Sequence, residues 1–113
     1  MSLDEWRAWW GRHGERELRC ILMTAWDPIG VGFDPSAWDE YDEYAFTIAR
    51  RLYEATDDTA AHEQVAAVLD GLDADLGSAG DMASRRNQSL ALALVAWHEW
   101  SFVRGGRVSP PDT

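Results

Sequence analysis

Apolar residues recur at helical spacing in five segments of this chain, and this period restricts the possible folds more than any other feature. In the clearest segment, positions i, i+3, i+4, i+7 and i+8 are Leu18, Ile21, Leu22, Ala25 and Trp26. Residues at this spacing lie along one side of an α-helix and pack on a core. We therefore predict an all-α protein, a small single-domain bundle of about five helices.

The ends of the first two helices are marked by Gly and Pro. Gly11 and Gly14 lie between the first apolar stripe and the second, and glycine lowers helix stability by about 1 kcal/mol relative to alanine. Asp27-Pro28 follows the second stripe, where proline cannot donate the next helical N–H. We predict a break at the two glycines and a helix end at Asp27-Pro28.

Three more helices are predicted after a structured loop. The third covers about residues 35–55, the fourth 58–77 and the fifth 82–104. Within the fifth, Leu90 to Leu94 also alternates like a strand. The alanines in that stretch favour a helix, and its apolar character predicts that the helix is buried on most sides.

The length and composition are those of one folded domain. The chain has 113 residues, of which 46% are hydrophobic, and it contains seven Trp. Disordered chains, in contrast, contain few aromatic residues. We expect residues 1–104 to form a single helical domain and residues 105–113 to form a disordered tail.

The charge balance argues against several classes of partner. Asp and Glu total 20, whereas Lys and Arg total 10, so the formal net charge is −10. Phosphate backbones and anionic lipid surfaces bind through clusters of Lys and Arg, so we expect no nucleic-acid partner and no membrane partner. The stretch from Leu52 to Ser84 contains eight acids and neither Lys nor Arg. A basic protein is the partner that this charge favours.

The cellular compartment is predicted from the cysteine content and from hydropathy. Cys20 is the only cysteine, so no intramolecular disulfide can form, as is usual in a reducing cytoplasm. The longest apolar run, Leu90 to Trp97, is far shorter than the roughly 20 residues that span a bilayer, and the first residues are not typical of a signal peptide. We expect a cytoplasmic protein in which Cys20 is a small buried residue.

A distinctive segment joins the second and third predicted helices. It reads Trp26-Asp27-Pro28-Ile29-Gly30-Val31-Gly32, and Ala37-Trp38-Asp39-Glu40-Tyr41-Asp42-Glu43-Tyr44 follows it. This pattern resembles small bacterial proteins that carry a domain of unknown function, in which a Trp-Asp-Pro-Ile-Gly-Val loop precedes an Asp-Glu-Tyr-Asp helix. The resemblance covers residues 25–53 and implies no catalytic role. In this sequence Phe33 lies between Gly32 and Asp34, so the loop differs in length from that pattern.

The residues themselves predict a helix stop, a pinned loop and a helix start. The motif loop consists of Trp26, Asp27, Pro28, Gly30 and Gly32. Gly30-Val31-Gly32 is similar to the start of a dinucleotide-binding fingerprint. However, Pro35 occupies the place of its third glycine and no strand precedes it. We therefore expect no cofactor, and the glycines serve tight turns.

Four acids at the start of the third helix form the candidate partner-binding surface: Asp39, Glu40, Asp42 and Glu43. They lie opposite the apolar stripe of that helix, so the simplest interpretation is a solvated charged face. A surface for a protein partner and a Mg²⁺ site are the alternatives. We assign no metal site, because exposed carboxylates keep their water and gain little by holding an ion.

A second group of acids resembles a calcium loop but has the wrong spacing. Counting from Asp73, Ser78 stands where the loop needs glycine and Ser84 stands where it needs a bidentate glutamate. We interpret Asp70, Asp73 and Asp75 as helix-surface and capping residues.

The three histidines lie on different predicted helices and form no paired motif: His13, His62 and His98. A lone histidine is a weak catalytic signal when no orienting partner is evident. We predict surface or packing roles for all three and assign no catalytic residue.

Aromatic residues cluster at both ends of the chain. One cluster contains Trp6, Trp9 and Trp10, and the other contains Trp97, Trp100 and Phe102. Terminal helices of a small bundle often meet, so we predict that the two clusters pack together, with hydrogen-bond acceptors for their indole N–H groups. The alternative is an exposed cluster that marks an interface.

These observations lead to three hypotheses for function. The first is a non-enzymatic, acidic protein-binding module, similar to an antidote or regulator, whose partner is a basic protein. The second is a structural homodimer that pairs through the first helix or through Trp97 and Trp100. The third is an enzyme that places Asp27, Asp34 and Asp39 near His62 or His98.

Overall fold

The computed structural model describes residues 2–26, 38–75, 77 and 79–105, and it describes the backbone alone for residues 38–41. Every regular element in these ranges is a helix, which confirms the all-α prediction for this part of the chain. Helix α1 covers 3–26, helix α2 is Trp38–Glu54 and helix α3 is Asp58–Asp75. Helix α4 covers 81–103 and consists of α-helical Asp81–His98 followed by π-helical Glu99–Val103.

The predicted break at Gly11 and Gly14 is wrong, so the described residues form four helices instead of about five. In α1, α-helical Leu3–Trp9 continues through π-helical Trp10–Gly14 into α-helical Glu15–Ile21 and π-helical Leu22–Trp26. The helix bridges the glycines because each one costs only about 1 kcal/mol, which tertiary burial easily outweighs. The wider π turn keeps its hydrogen bonds, since the Glu15 N–H donates to the Trp10 carbonyl.

Gly14 has a packing role that Gly11 lacks. A Cβ atom at Gly14 would lie 2.7 Å from Cη2 of Trp9 and 2.8 Å from Cε3 of Trp10, whereas a Cβ atom at Gly11 meets no atom within 4 Å. The absence of a side chain at Gly14 therefore allows two buried indole rings to lie against the helix backbone.

This difference predicts opposite effects of the same substitution. Gly11→Ala should raise the free energy of unfolding by up to about 1 kcal/mol, because alanine is the better helix former. Gly14→Ala should lower it by about 1–3 kcal/mol, because the new methyl group overlaps two packed rings. Urea denaturation of both variants measures the difference, and equal effects at the two sites would contradict the packing role of Gly14.

One side of each helix faces a shared core. Each helix packs against the next one along the chain, and the C-terminal end of α1 also contacts α4. The fully buried aliphatic side chains of the core are Leu18, Leu22, Ile48, Val65, Leu69 and Leu94. The apolar stripes that periodicity predicted thus supply the core. The prediction that the last helix is buried on most sides is wrong, because Leu92 is 61% exposed and only one side of α4 meets the core.

The observed boundaries of α3 and α4 have local causes. The Asp57 carboxylate accepts a hydrogen bond of 2.7 Å from the Ala60 N–H and so caps the start of α3. Gly77 follows α3 with a φ of +77°, a conformation that favours glycine.

None of the helices described is both long and apolar enough to cross a membrane. The predicted tail from residue 106 onward lies outside the described residues.

Candidate functional site

The two terminal aromatic clusters pack against each other, as predicted. Trp6, Trp9 and Trp10 on α1 are only 1%, 8% and 9% exposed. The Trp9 ring centroid lies 5.2 Å from that of Phe102 and 5.5 Å from that of Trp97. Large aromatic surfaces are therefore buried between the first and last helices, which makes the cluster mainly a packing element.

Hydrogen bonds fix the alignment of α1 with α4. The Trp9 indole N–H donates to Ser101 Oγ at 3.0 Å, and the Trp97 indole N–H donates to Glu17 Oε1 at 3.0 Å. The Ser101 hydroxyl donates to the same Glu17 oxygen at 2.7 Å. Because these groups are buried or half-buried, a shift of one helix along the other would leave polar atoms without partners.

The Trp6–His98 pair determines which nitrogen of His98 carries the proton. The Trp6 indole N–H donates to His98 Nε2 at 3.3 Å. An indole N–H can only donate, so Nε2 must be the unprotonated, accepting nitrogen. Burial lowers the pKa of His98 from its ordinary value of 6.5 to about 4, so the ring is neutral at pH 7. A neutral ring with a bare Nε2 carries its proton on Nδ1.

The pKa of His98 predicts a loss of stability in mild acid. Between pH 6.5 and pH 4 the unfolded chain binds a proton at His98 and the folded chain does not. The stabilisation is therefore complete above pH 6.5 and is lost as the pH falls, by about 2–3 kcal/mol at pH 4.5. His98→Gln keeps an acceptor for Trp6 and does not titrate. Between pH 7 and pH 4.5 its free energy of unfolding should therefore fall less than that of the wild type, and the difference should be about 2–3 kcal/mol. Identical losses in urea denaturation would contradict the buried neutral state.

A cavity of about 370 Å³ opens beside His98, where the end of α2, the start of α3 and the end of α4 meet. Its aromatic walls include Tyr53 and Phe102, whose ring centroids are 6.1 Å apart. Three acidic residues line it as well: Asp57, Asp58 and Glu99. Sequence reasoning missed this site, because its two segments, residues 52–61 and 95–103, are distant along the chain.

The charge around the cavity is negative. Asp57 and Asp58 are exposed, and no ion pair involves either of them among the residues described. Glu99 contacts Arg104 at 3.5 Å, but both side chains are largely exposed, and such surface pairs contribute little. The C-terminal ends of α2 and α4 add partial negative charge, because their last carbonyl groups point towards this end of the bundle.

A buried polar network lies on the other part of the α3–α4 interface. The fully buried Asp73 accepts hydrogen bonds of 2.6 Å from Arg86 and 2.6 Å from the Asn87 side-chain amide. The same amide donates to Asp70 at 2.8 Å, and the Trp26 indole N–H lies 3.4 Å from Asp73. The prediction that Asp73 is a helix-surface residue is therefore wrong. Its position four residues after the buried Leu69 was the signal for burial.

The predicted partner-binding acids differ in their surroundings. Asp42 accepts a hydrogen bond of 2.9 Å from Arg19, so this carboxylate joins α2 to α1. Glu43 is exposed. The backbone of Asp39 and Glu40 is helical, and their side chains lie outside the described residues.

The motif loop is described only at its first residue. Trp26 is 4% exposed, and its ring lies edge-on to Tyr44 with centroids 5.9 Å apart. The burial of Trp26 agrees with its place on the apolar stripe. The other residues of the predicted motif loop lie outside the described ranges: Asp27, Pro28, Gly30 and Gly32.

Two further predictions concern single side chains. The prediction that Cys20 is buried is wrong, because its side chain is exposed. Each residue of an α-helix turns by about 100°, so Cys20 lies roughly opposite the buried Leu18 and Leu22. His62 is half-buried, and its Nε2 lies 3.1 Å from the Gln88 carbonyl oxygen. This contact is a packing role of the kind predicted for the histidines.

Neither a metal site nor a known relative points to a function. No group of three or more His, Cys, Asp or Glu side chains in the described parts of the chain is arranged to hold a metal ion. No protein-family model matches the chain, and neither does any curated protein or any solved structure.

Proposed function

We propose that this protein is a non-enzymatic binding module that uses carboxylates on and around α3 to bind a basic protein. The observation that carries the proposal is a set of exposed acids without ion-pair partners among the described residues: Asp57, Asp58, Glu63, Asp75 and Asp81. They lie in a stretch that contains no Lys or Arg. The carboxylates of such a surface repel one another and attract a positively charged partner.

The proposal gains support from a contrast with four acids that have partners within the fold. Asp42, Glu54 and Asp73 bind Arg19, Arg50 and Arg86, and Glu17 binds two side chains of α4. Those carboxylates have roles within the fold. Of the acids on and around α3, Asp57 caps this helix, and Asp58 and Asp81 lie in the first turns of α3 and α4, where negative charge favours the helix. Glu63 and Asp75 are exposed and form no ion pair among the described residues, so their charge is available to a partner. Complementary charge speeds association and selects against acidic competitors.

Charge reversal at matched sites tests the proposal. Immobilised wild-type protein is used to capture partners from an extract of the native host at low salt, and the most abundant basic protein is then purified. Glu63→Lys with Asp75→Lys should weaken binding of that protein at least tenfold and reduce its salt dependence. Asp4→Lys with Glu5→Lys changes the net charge equally in the first turn of α1 and should alter affinity less than threefold.

A third double variant tests whether the partner binds instead to the acids on α2 that the sequence predicted. If the predicted acids on α2 bind the partner, Asp42→Lys with Glu43→Lys will weaken binding most. If no basic protein binds stoichiometrically to the immobilised protein, or if all three double variants bind alike, the proposal is wrong.

The cysteine content favours a compartment. Cys20 is the only cysteine and is exposed to solvent, which favours a reducing compartment such as the cytoplasm as the place of action.

The second candidate is the homodimer, which the exposed apolar side chains at the end of α4 favour. Trp100 is 46% exposed and Val103 is 41% exposed. Exposed Trp often lies at the centre of an interface. Light scattering distinguishes the two candidates, because a monomer has a mass of 12.7 kDa. A doubled mass that Trp100→Ala returns to the monomer value supports the homodimer.

A further inference from the structure

We propose that the cavity between the ends of α2 and α4 and the start of α3 receives an arginine side chain of the basic partner, together with a backbone carbonyl of the same residue. This inference rests on the proposed function and adds to it the contact residues and the chemistry of the bound group. The cavity volume of about 370 Å³ lies within the range of about 300–1,000 Å³ that is typical of ligand pockets.

The carboxylates at the cavity select a cation. Asp57, Asp58 and Glu99 line it, and no Lys or Arg side chain does so among the residues described. Asp57 and Asp58 offset the partial positive charge at the start of α3, while the ends of α2 and α4 contribute partial negative charge. A phosphate or carboxylate ligand would therefore be repelled, and a cationic ligand would be attracted.

The aromatic walls favour a flat cation. Tyr53 and Phe102 meet at an interplanar angle of 67°, and both line the cavity. A guanidinium group is planar, stacks on aromatic faces and is more weakly hydrated than an ammonium group. It also binds carboxylates through two parallel N–H donors. Arginine therefore fits this lining better than lysine does.

His98 supplies an independent reason to expect a ligand. The side chain is 9% exposed, and it lines the cavity. Nε2 accepts from Trp6, so Nδ1 carries the proton, and Nδ1 has no hydrogen-bond partner among the described residues. A buried donor without an acceptor is unfavourable, and a carbonyl oxygen of a bound peptide satisfies it. A peptide residue offers this carbonyl, whereas a metal ion or a polyamine offers only positive charge.

Two small probes that differ in charge test the proposal. The first is N-acetyl-arginine amide, and the second is its citrulline analogue, which has nearly the same shape and no charge. The arginine probe should bind with a Kd on the order of 1–10 mM, as expected for a fragment of this size. NMR should show saturable shifts at His98 Nδ1–H and at the Trp6 indole N–H, and the citrulline probe should bind at least tenfold more weakly.

Variants of the carboxylates identify the binding site. Asp57→Asn with Asp58→Asn and Glu99→Gln removes the charge, and the side-chain amide oxygen that replaces the carboxylate at position 57 still caps α3. This triple variant should lose at least tenfold in affinity for the arginine probe, whereas Asp75→Asn, an exposed acid away from the cavity, should not change it. Circular dichroism checks that the triple variant keeps its helices, and if it unfolds, Asp58→Asn alone is compared with Asp75→Asn.

The outcomes separate this inference from the proposed function. Equal binding of the two probes, or shifts that do not include His98 and Trp6, overturns the cavity as an arginine site. If the basic partner still loses affinity with Glu63→Lys and Asp75→Lys, the binding module stands and only the cavity assignment falls. If the arginine probe binds the cavity and no basic protein partner is found, the proposed function falls and a small arginine-containing peptide becomes the ligand.

Discussion

Asp73→Ala is expected to lower the free energy of unfolding by about 3 kcal/mol, because it removes the acceptor at the centre of a buried network. Asp73 is 0% exposed, and its Oδ2 atom accepts from both Arg86 and Asn87. Without this carboxylate, Arg86 loses its ion-pair partner and Asn87 loses one acceptor. The Arg86 side chain is 34% exposed and can turn towards water, so the loss should lie at the lower end of the range for a broken buried pair.

The matched control is Asp75→Ala, two residues further along the same helix. Asp75 is exposed and forms no ion pair among the described residues, so this substitution should change stability by no more than about 0.5 kcal/mol. Urea denaturation measured by circular dichroism compares the two variants. If both have the stability of the wild type, the network does not hold α3 against α4.

Trp6→Ala is expected to cost about 3–5 kcal/mol, because it opens a large cavity between α1 and α4. Trp6 is 1% exposed and stacks on Trp10 with ring centroids 5.8 Å apart. Its ring also lies 5.3 Å from that of Tyr53 on α2. The substitution removes these contacts and leaves His98 Nε2 without its donor.

Trp6→Phe separates the packing part of this effect from the hydrogen-bond part, and Trp100→Ala is the control. Trp6→Phe keeps much of the ring packing and removes the N–H, so it should cost less than Trp6→Ala, with about 1–3 kcal/mol for the unsatisfied acceptor of His98. Trp100→Ala removes a Trp that is 46% exposed and should cost less than about 1 kcal/mol in the monomer. Thermal or urea unfolding gives all three values, and a Trp6→Ala loss no larger than that of Trp100→Ala would contradict the central position of Trp6.

Local patterns in the sequence were sufficient for the helices and for much of the core. The stripe that includes Leu18, Leu22 and Trp26 lies in the core, as does Leu69 of the later stripe. This succeeds because helical periodicity reports which side of a helix is buried, whatever that side packs against. The same rule also places Cys20 opposite the core, and our expectation of a buried cysteine gave too much weight to residue type.

The continuity of α1 could not be deduced from the glycines. Gly11 and Gly14 have the same intrinsic helix propensity, yet only Gly14 lies against the rings of Trp9 and Trp10. Propensity describes one residue within its helix. Whether the helix continues depends on the free energy of burial that the whole segment gains, and that quantity depends on the other helices.

The sequence alone determined the helical class, the apolar stripes and the acidic stretch without Lys or Arg, because each is a property of neighbouring residues. Only the tertiary structure decided that Asp73 is buried with Asn87 and that the proton of His98 lies on Nδ1, because both results depend on partners that are distant along the chain. Trp6 and His98 are 92 residues apart. The cavity also depends on residues that are distant along the chain, since Asp57 caps the start of α3 and Glu99 lies on α4. No local pattern contains such a site, which exists only where folding brings the helix ends together.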